Sequence, residues 1–179
     1  MPNLITGKFI FSNKADALVT SLKQILDFAS ANLPLYANAA IINFKLKAII
    51  TELLSNAVKH AGNPETAIYI LIEDGHINIE KTDSGNQFNP KKLDLLCGKS
   101  VGTKVQLSKD PLHCVYAIIE PGMFVRFVCE ENEENQIPDI NDLTEHFGIL
   151  IITKSADEFT YQYDQSSGLN TFRASVKFS

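Results

Sequence analysis

Glu52, Asn56 and Lys59 recur at steps of four and three within the run Thr51-Glu52-Leu53-Leu54-Ser55-Asn56-Ala57-Val58-Lys59-His60-Ala61, with His60 at the edge of the set. On a helix this spacing projects a carboxylate, a carboxamide and a cation along one stripe. Such a set suits a metal-bound polyphosphate. The carboxamide oxygen can ligate Mg²⁺, the carboxylate can act as a base or position water, and the cation can partner a phosphate. A solvated helix flank would carry the same spacing, so the elements around it decide between the two.

The helix is predicted from about residue 43 to 61, because Leu46, Ile49, Ile50, Leu53, Ala57 and Ala61 share the neighbouring face. Gly62 is expected to form a left-handed C-terminal cap, and Asn63-Pro64 the next turn. Upstream, residues 8–11 read as a short strand. Ser12-Asn13 offers an N-cap to a helix over 15–31, whose apolar stripe is Leu18, Leu22, Ile25 and Phe28-Ala29. Leu33-Pro34-Leu35 ends it. Downstream, residues 67–72 and 76–82 read as strands joined at Asp74-Gly75, a two-residue hairpin signal, with His76 exposed at the turn.

Asp83-Ser84-Gly85-Asn86-Gln87-Phe88 follows that second strand. A carboxylate at a sheet end can only accept hydrogen bonds, and a glycine beside it permits close backbone approach. Asp-Ser-Gly is also ordinary turn chemistry.

Together these segments resemble the GHKL ATP-binding superfamily, which includes histidine kinases, gyrase-type ATPases and anti-sigma-factor serine kinases. Glu52, Asn56, Lys59, His60 and Ala61 match its first box: Glu-x-x-x-Asn, a basic residue, an aromatic or His, and often Ala. Asp83 and Gly85 match its second box, Asp-x-Gly-x-Gly; Gln87 replaces the last Gly, and Phe88 follows as in the anti-sigma kinase branch. The third box, Gly-x-Gly before an apolar helix, is met by Gly148 with His146 at the first Gly. A helix starting there would offer free N–H groups to phosphates. Strands over 158–163 and 171–178, joined by Ser166-Ser167-Gly168, resemble the family's last strands, whose Thr reaches adenine through water; Thr171 is the candidate.

Residues 89–143 depart most from the family, where this region holds a lid over the phosphates. Residues 112–119 and 123–128 read as strands around Pro121-Gly122, a type II turn pair. An acidic loop from Glu130 to Asn135 is expected next, and Gly98 and Gly102 as lid hinges. Gly98-Lys99-Ser100 ends like a P-loop, but Leu93 holds the place of its first Gly, which excludes that motif.

The resemblance implies one domain over residues 1–179 with an inserted or rearranged lid at about 89–143. Its fold would be a two-layer α/β (α+β) sandwich, with helices on one face of a mixed, mostly antiparallel sheet. It implies Mg-ATP as ligand, with Asn56 on the metal, Lys59, His60 and Gly148 near phosphates, and Asp83, Gly85 and Thr171 toward adenine. Glu52 would be the catalytic base, acting on a Ser or Thr of an anti-anti-sigma-like protein, with a sigma factor as a further partner. A stand-alone histidine-kinase-type catalytic domain and a degenerate interaction module with weak or no catalysis stay open, as does homodimerisation. The net charge of −5 with scattered basic residues argues against nucleic acid as a partner. No apolar run reaches membrane-spanning length, and the N-terminus lacks the pattern of a signal peptide. Cys97, Cys114 and Cys129 have no Cys-x-x-Cys spacing, so reduced thiols and a cytoplasmic location are expected.

Overall fold

Strict alternation of inward apolar and outward polar side chains builds the sheet. The computed structural model describes residues 4–34, 38–88, 99–109, 112–122, 124–132 and 147–178. Its strands are β1 (Ile5–Phe11), β2 (Thr66–Glu73), β3 (His76–Ser84), β4 (Lys104–Lys109), β5 (His113–Ile119), β6 (Val125–Glu131), β7 (Glu158–Asp164) and β8 (Leu169–Lys177). They form one sheet in the order β1-β2-β3-β8-β7-β6-β5-β4. Every described pairing is antiparallel, so the expected mixed sheet is antiparallel throughout the described residues. Three helices, α1 (Leu18–Asn32), α2 (Ala39–His60) and α3 (Phe147–Ser155), pack on one face.

The core lies between these layers. Leu46, Ile49, Ile50, Leu53, Leu54 and Ala57 of α2 are buried against Ile68, Ile70, Ile77 and Ile79 of the sheet. Burying one such large apolar side chain contributes about 1.5–3 kcal/mol, so α2 is fixed by its apolar face and its polar stripe follows. The β2–β3 turn has Asp74 at φ 46° and Gly75 at φ 79°, the two positive values a type I′ hairpin requires.

Several local expectations are corrected. A 3-10 turn, Ala15–Ala17, leads into α1 without a side-chain cap. Asn13 (φ 53°) instead donates its amide to the Asn63 carbonyl at 2.8 Å. The residue capping α2 is Ala61 in an extended conformation, and Gly62 is not left-handed. Gly62 serves close approach: a Cβ there would stand 3.2 Å from Gly85 Cα. The strands expected over 112–119 and 123–128 are present as β5 and β6, with β4 before them, but Glu130 and Glu131, expected in an acidic loop, belong to β6. Gly122 (φ +84°) fits the type II turn between β5 and β6. Gly102 (φ +86°) turns into β4 with its N–H on the Ile119 carbonyl at 2.8 Å. Cys97, Gly98 and His146 lie outside the described residues.

Candidate functional site

The α2 stripe is set by the burial of the face beside it. Glu52 and Asn56 are half-buried, while Lys59 and His60 are exposed in the last turn. The first turn of α3 lies across the two inner members. A Cβ on Gly148 would stand 2.8 Å from Glu52 Oε2 and 3.6 Å from Asn56 Nδ2. Glycine is what lets the α3 backbone come this close. A carboxylate beside a helix N-terminus is electrostatically favoured by about 0.3–1 kcal/mol. Lys45 pairs with Asp157 at 3.5 Å, tying α2 to the segment that follows α3. The structure therefore brings Glu52, Asn56 and Gly148 together.

The end of α2 meets the end of β3. Gly62 and Gly85 touch through their backbones, the Gly85 N–H donates to the Gly168 carbonyl at 3.3 Å, and Asn63 donates its side-chain amide to the Ser84 hydroxyl. Asp83 lies on β3 itself, facing the helices behind Ile77, Ile79 and Lys81 at two-residue steps. Lys81 and Asp83, 3% and 7% exposed, form a buried ion pair. The register sets Asn170 of β8 opposite Asp83, and Asn170 Nδ2 donates to Asp83 Oδ1 at 3.2 Å and to the Asn86 carbonyl at 3.1 Å. Asn170 Oδ1 accepts from the Tyr161 hydroxyl at 2.8 Å and from the Phe88 N–H at 3.0 Å. The Phe88 ring packs edge-on against Tyr161 and Phe172, and Lys81 Nζ lies 5.0 Å from the Phe172 ring centre.

Burial pulls the Lys81 ammonium below the usual lysine range, against the charge and hydrogen bond of Asp83, which raise it. Burial pushes the Tyr161 hydroxyl well above its usual range, so it donates as a neutral phenol. Thr66, 1% exposed, faces the same interior. The register Ala67↔Thr82 sets it across the ladder from Asp83, and its Oγ1 has no partner among the described residues.

Thr171 is not part of this cluster. It pairs with Thr82 on the opposite face of the sheet, and Asn170, one residue earlier, faces the cluster. The sequence motifs point to none of Lys81, Tyr161 and Asn170. Lys81 alone carried a signal, since the alternation Ile77, Ile79, Lys81, Asp83 turns it inward.

Chemically, one end of the site offers an oxygen ligand, a base and cations; the other offers buried donors and acceptors beside aromatic rings. The Thr66 hydroxyl, unpartnered among the described residues and across the ladder from Asp83, fits a polar group of a bound ligand at that end. Residues 43–124 match the family model described as histidine kinase-, DNA gyrase B- and HSP90-like ATPase. The match takes in Glu52, Asn56 and Asp83 and stops before α3, β7 and β8. No curated protein matches the chain. Among the described residues, no helix is long and apolar enough to cross a membrane.

Proposed function

We propose that this protein is an ATP-binding regulatory domain of the GHKL type, working as a serine/threonine kinase of the anti-sigma-factor kind. The observation that carries the reading is the contact of Glu52 and Asn56 with Gly148, continued through Gly62 and Gly85 toward Asp83. It joins three short motifs, distant in sequence, along one edge of the helical layer.

Asn56 would hold Mg²⁺ through its amide oxygen, with Lys59, His60 and the α3 N–H groups toward the phosphates. Asp83 would accept from the adenine amino group. Bound ATP would supply the transferred phosphoryl group. Glu52 would orient and deprotonate a partner's Ser or Thr hydroxyl, its carboxylate held in place beside α3. The partner class is an anti-anti-sigma-like protein, with a sigma factor as a second.

A thermal-shift titration with Mg-ATP, Mg-ADP and Mg-GTP tests binding. Ligand at 100 times Kd stabilises a folded protein by about 2.7 kcal/mol. A rise in melting temperature with the adenine nucleotides is expected. No shift at millimolar ATP would favour the second reading, an interaction module that has lost nucleotide. That reading is favoured by one observation: Asp83 already accepts from Lys81 and Asn170.

A further inference from the structure

The cluster around Asp83 has hydrogen-bonding capacity that the described residues leave unused. An ammonium carries three N–H donors, and an ionised carboxylate has about four lone-pair sites. Lys81 Nζ meets a single hydrogen-bond acceptor among the described residues, Asp83. Asp83 receives one donor on each oxygen, from Lys81 and from Asn170. Thr66 Oγ1, beside Asp83 in register, has none. A buried polar group left unpaired costs about 1–3 kcal/mol. Lys81 also occupies an inward position where the strand pattern calls for an apolar residue, and its burial opposes its charge. Three neighbouring residues thus hold buried polar capacity that an incoming polar group would satisfy.

We propose that Lys81 is a specificity-determining residue of the nucleotide base pocket, donating to a ring nitrogen of the heterocycle while Asp83 accepts from the amino group next to it. This rests on the ATP-binding reading above and refines it. An acceptor alone reads only an amino group. A donor and an acceptor side by side read two adjacent positions, and the Watson–Crick edge of adenine presents that complement: N1 accepts and the 6-amino group donates. The same arrangement gives the Lys81 ammonium a second acceptor in a site where, among the described residues, Asp83 provides its only hydrogen bond.

The test is calorimetric titration of the full chain with Mg-ATP and with Mg-1-deaza-ATP, in which N1 is replaced by C–H. Wild-type protein is expected to bind the deaza nucleotide at least about tenfold more weakly, the effect of one lost hydrogen bond to a charged group. In Lys81→Met the two nucleotides should bind alike, so the discrimination disappears with the ammonium. Equal affinities in the wild type would overturn the role of Lys81 while leaving ATP binding intact, and need no variant to fold. Tighter ATP binding by Lys81→Met would also overturn it, marking Lys81 as a rival for Asp83. Failure of the wild type to bind ATP would overturn both this inference and the function it rests on.

Discussion

Lys81→Met should be severely destabilising, and a second substitution should rescue it. The variant leaves the Asp83 carboxylate in a site where its side chain is 6% exposed, with Asn170 as its remaining donor. Two unit charges at about 4 Å attract by about 4 kcal/mol at an effective dielectric of about 20. Breaking a buried pair from one side typically costs about 3–5 kcal/mol, which agrees. Lys81→Met/Asp83→Leu removes both charges and fills similar volume. Such replacement is neutral or stabilising by about 1–4 kcal/mol. The Asn170 amide keeps the Asn86 carbonyl, so its lost bond subtracts only about 1 kcal/mol. Urea unfolding followed by circular dichroism measures this. With a slope of about 2 kcal/mol/M, the single variant should lose about 1.5–2.5 M in midpoint and the double variant less than about 1 M. A single variant within about 0.5 M of wild type, or a double variant worse than the single, would refute the reasoning.

Other outcomes follow from the same geometry. Asn56→Ala should abolish the Mg²⁺ dependence of nucleotide binding measured by calorimetry, because it removes the proposed oxygen ligand; an unchanged dependence would remove Asn56 from that role. Gly148→Ala places a methyl 2.8 Å from Glu52 Oε2, the movable end of a side chain. Its unfolding free energy should stay within about 1 kcal/mol of wild type, since alanine favours a helix, while ATP affinity falls several-fold; intact affinity would show that Glu52 and Asn56 need no fixed geometry. Asp164, the last residue of β7, accepts from the hydroxyls of Ser167 and Ser166 and from the Ser166 N–H, which hold its carboxyl at about 2 against a usual 3.8. A depressed carboxyl stabilises above its unfolded value and loses that stabilisation as pH falls through its folded one. Asp164→Ala should therefore melt lower than wild type at pH 6, and the gap should close between about pH 4 and pH 2; a gap constant with pH would deny the linkage.

The helix carrying Glu52 and the hairpin before Asp83 were legible because both periods, 3.6 and 2, run cleanly through apolar residues. Other features depended on partners that no local pattern names. Strand β4 (Lys-Val-Gln-Leu-Ser-Lys) is largely polar and carries a register shift between Gln106 and Ser108, which breaks its alternation. Gly62 looks alike in sequence whether it caps a helix or yields space to another backbone; only the neighbour, Gly85, decides. Thr171 and Asn170 differ by one residue, and in a strand one residue exchanges the two faces. Asn170 and Tyr161 gain their roles through the pairing of β3 with β8, fixed by the whole sheet. Lys81 was readable in principle: an inward lysine two residues before an inward aspartate is its own signal.

The seam between β3 and β8 also bears on how the chain folds. Hairpins β2–β3, β4–β5–β6 and β7–β8 close over short connections, whereas Asp83 and Asn170 meet across a separation of 87 residues. Closing a loop of that length is entropically costly, and pairings of high sequence separation form slowly. Until the seam closes, Lys81 and Asp83 stay hydrated on one hairpin, and Tyr161 and Asn170 on another. Docking must strip water from both charges in one event, which adds a desolvation barrier to the topological one. Pulse-labelled hydrogen exchange during refolding should find the amides bonded within the β2–β3 and β7–β8 hairpins protected before those bonded across the β3–β8 seam; simultaneous protection would contradict this order. A chain caught before docking would carry the polar stripe of α2 but no inner-face network, so the two ends of the site would be acquired at different times.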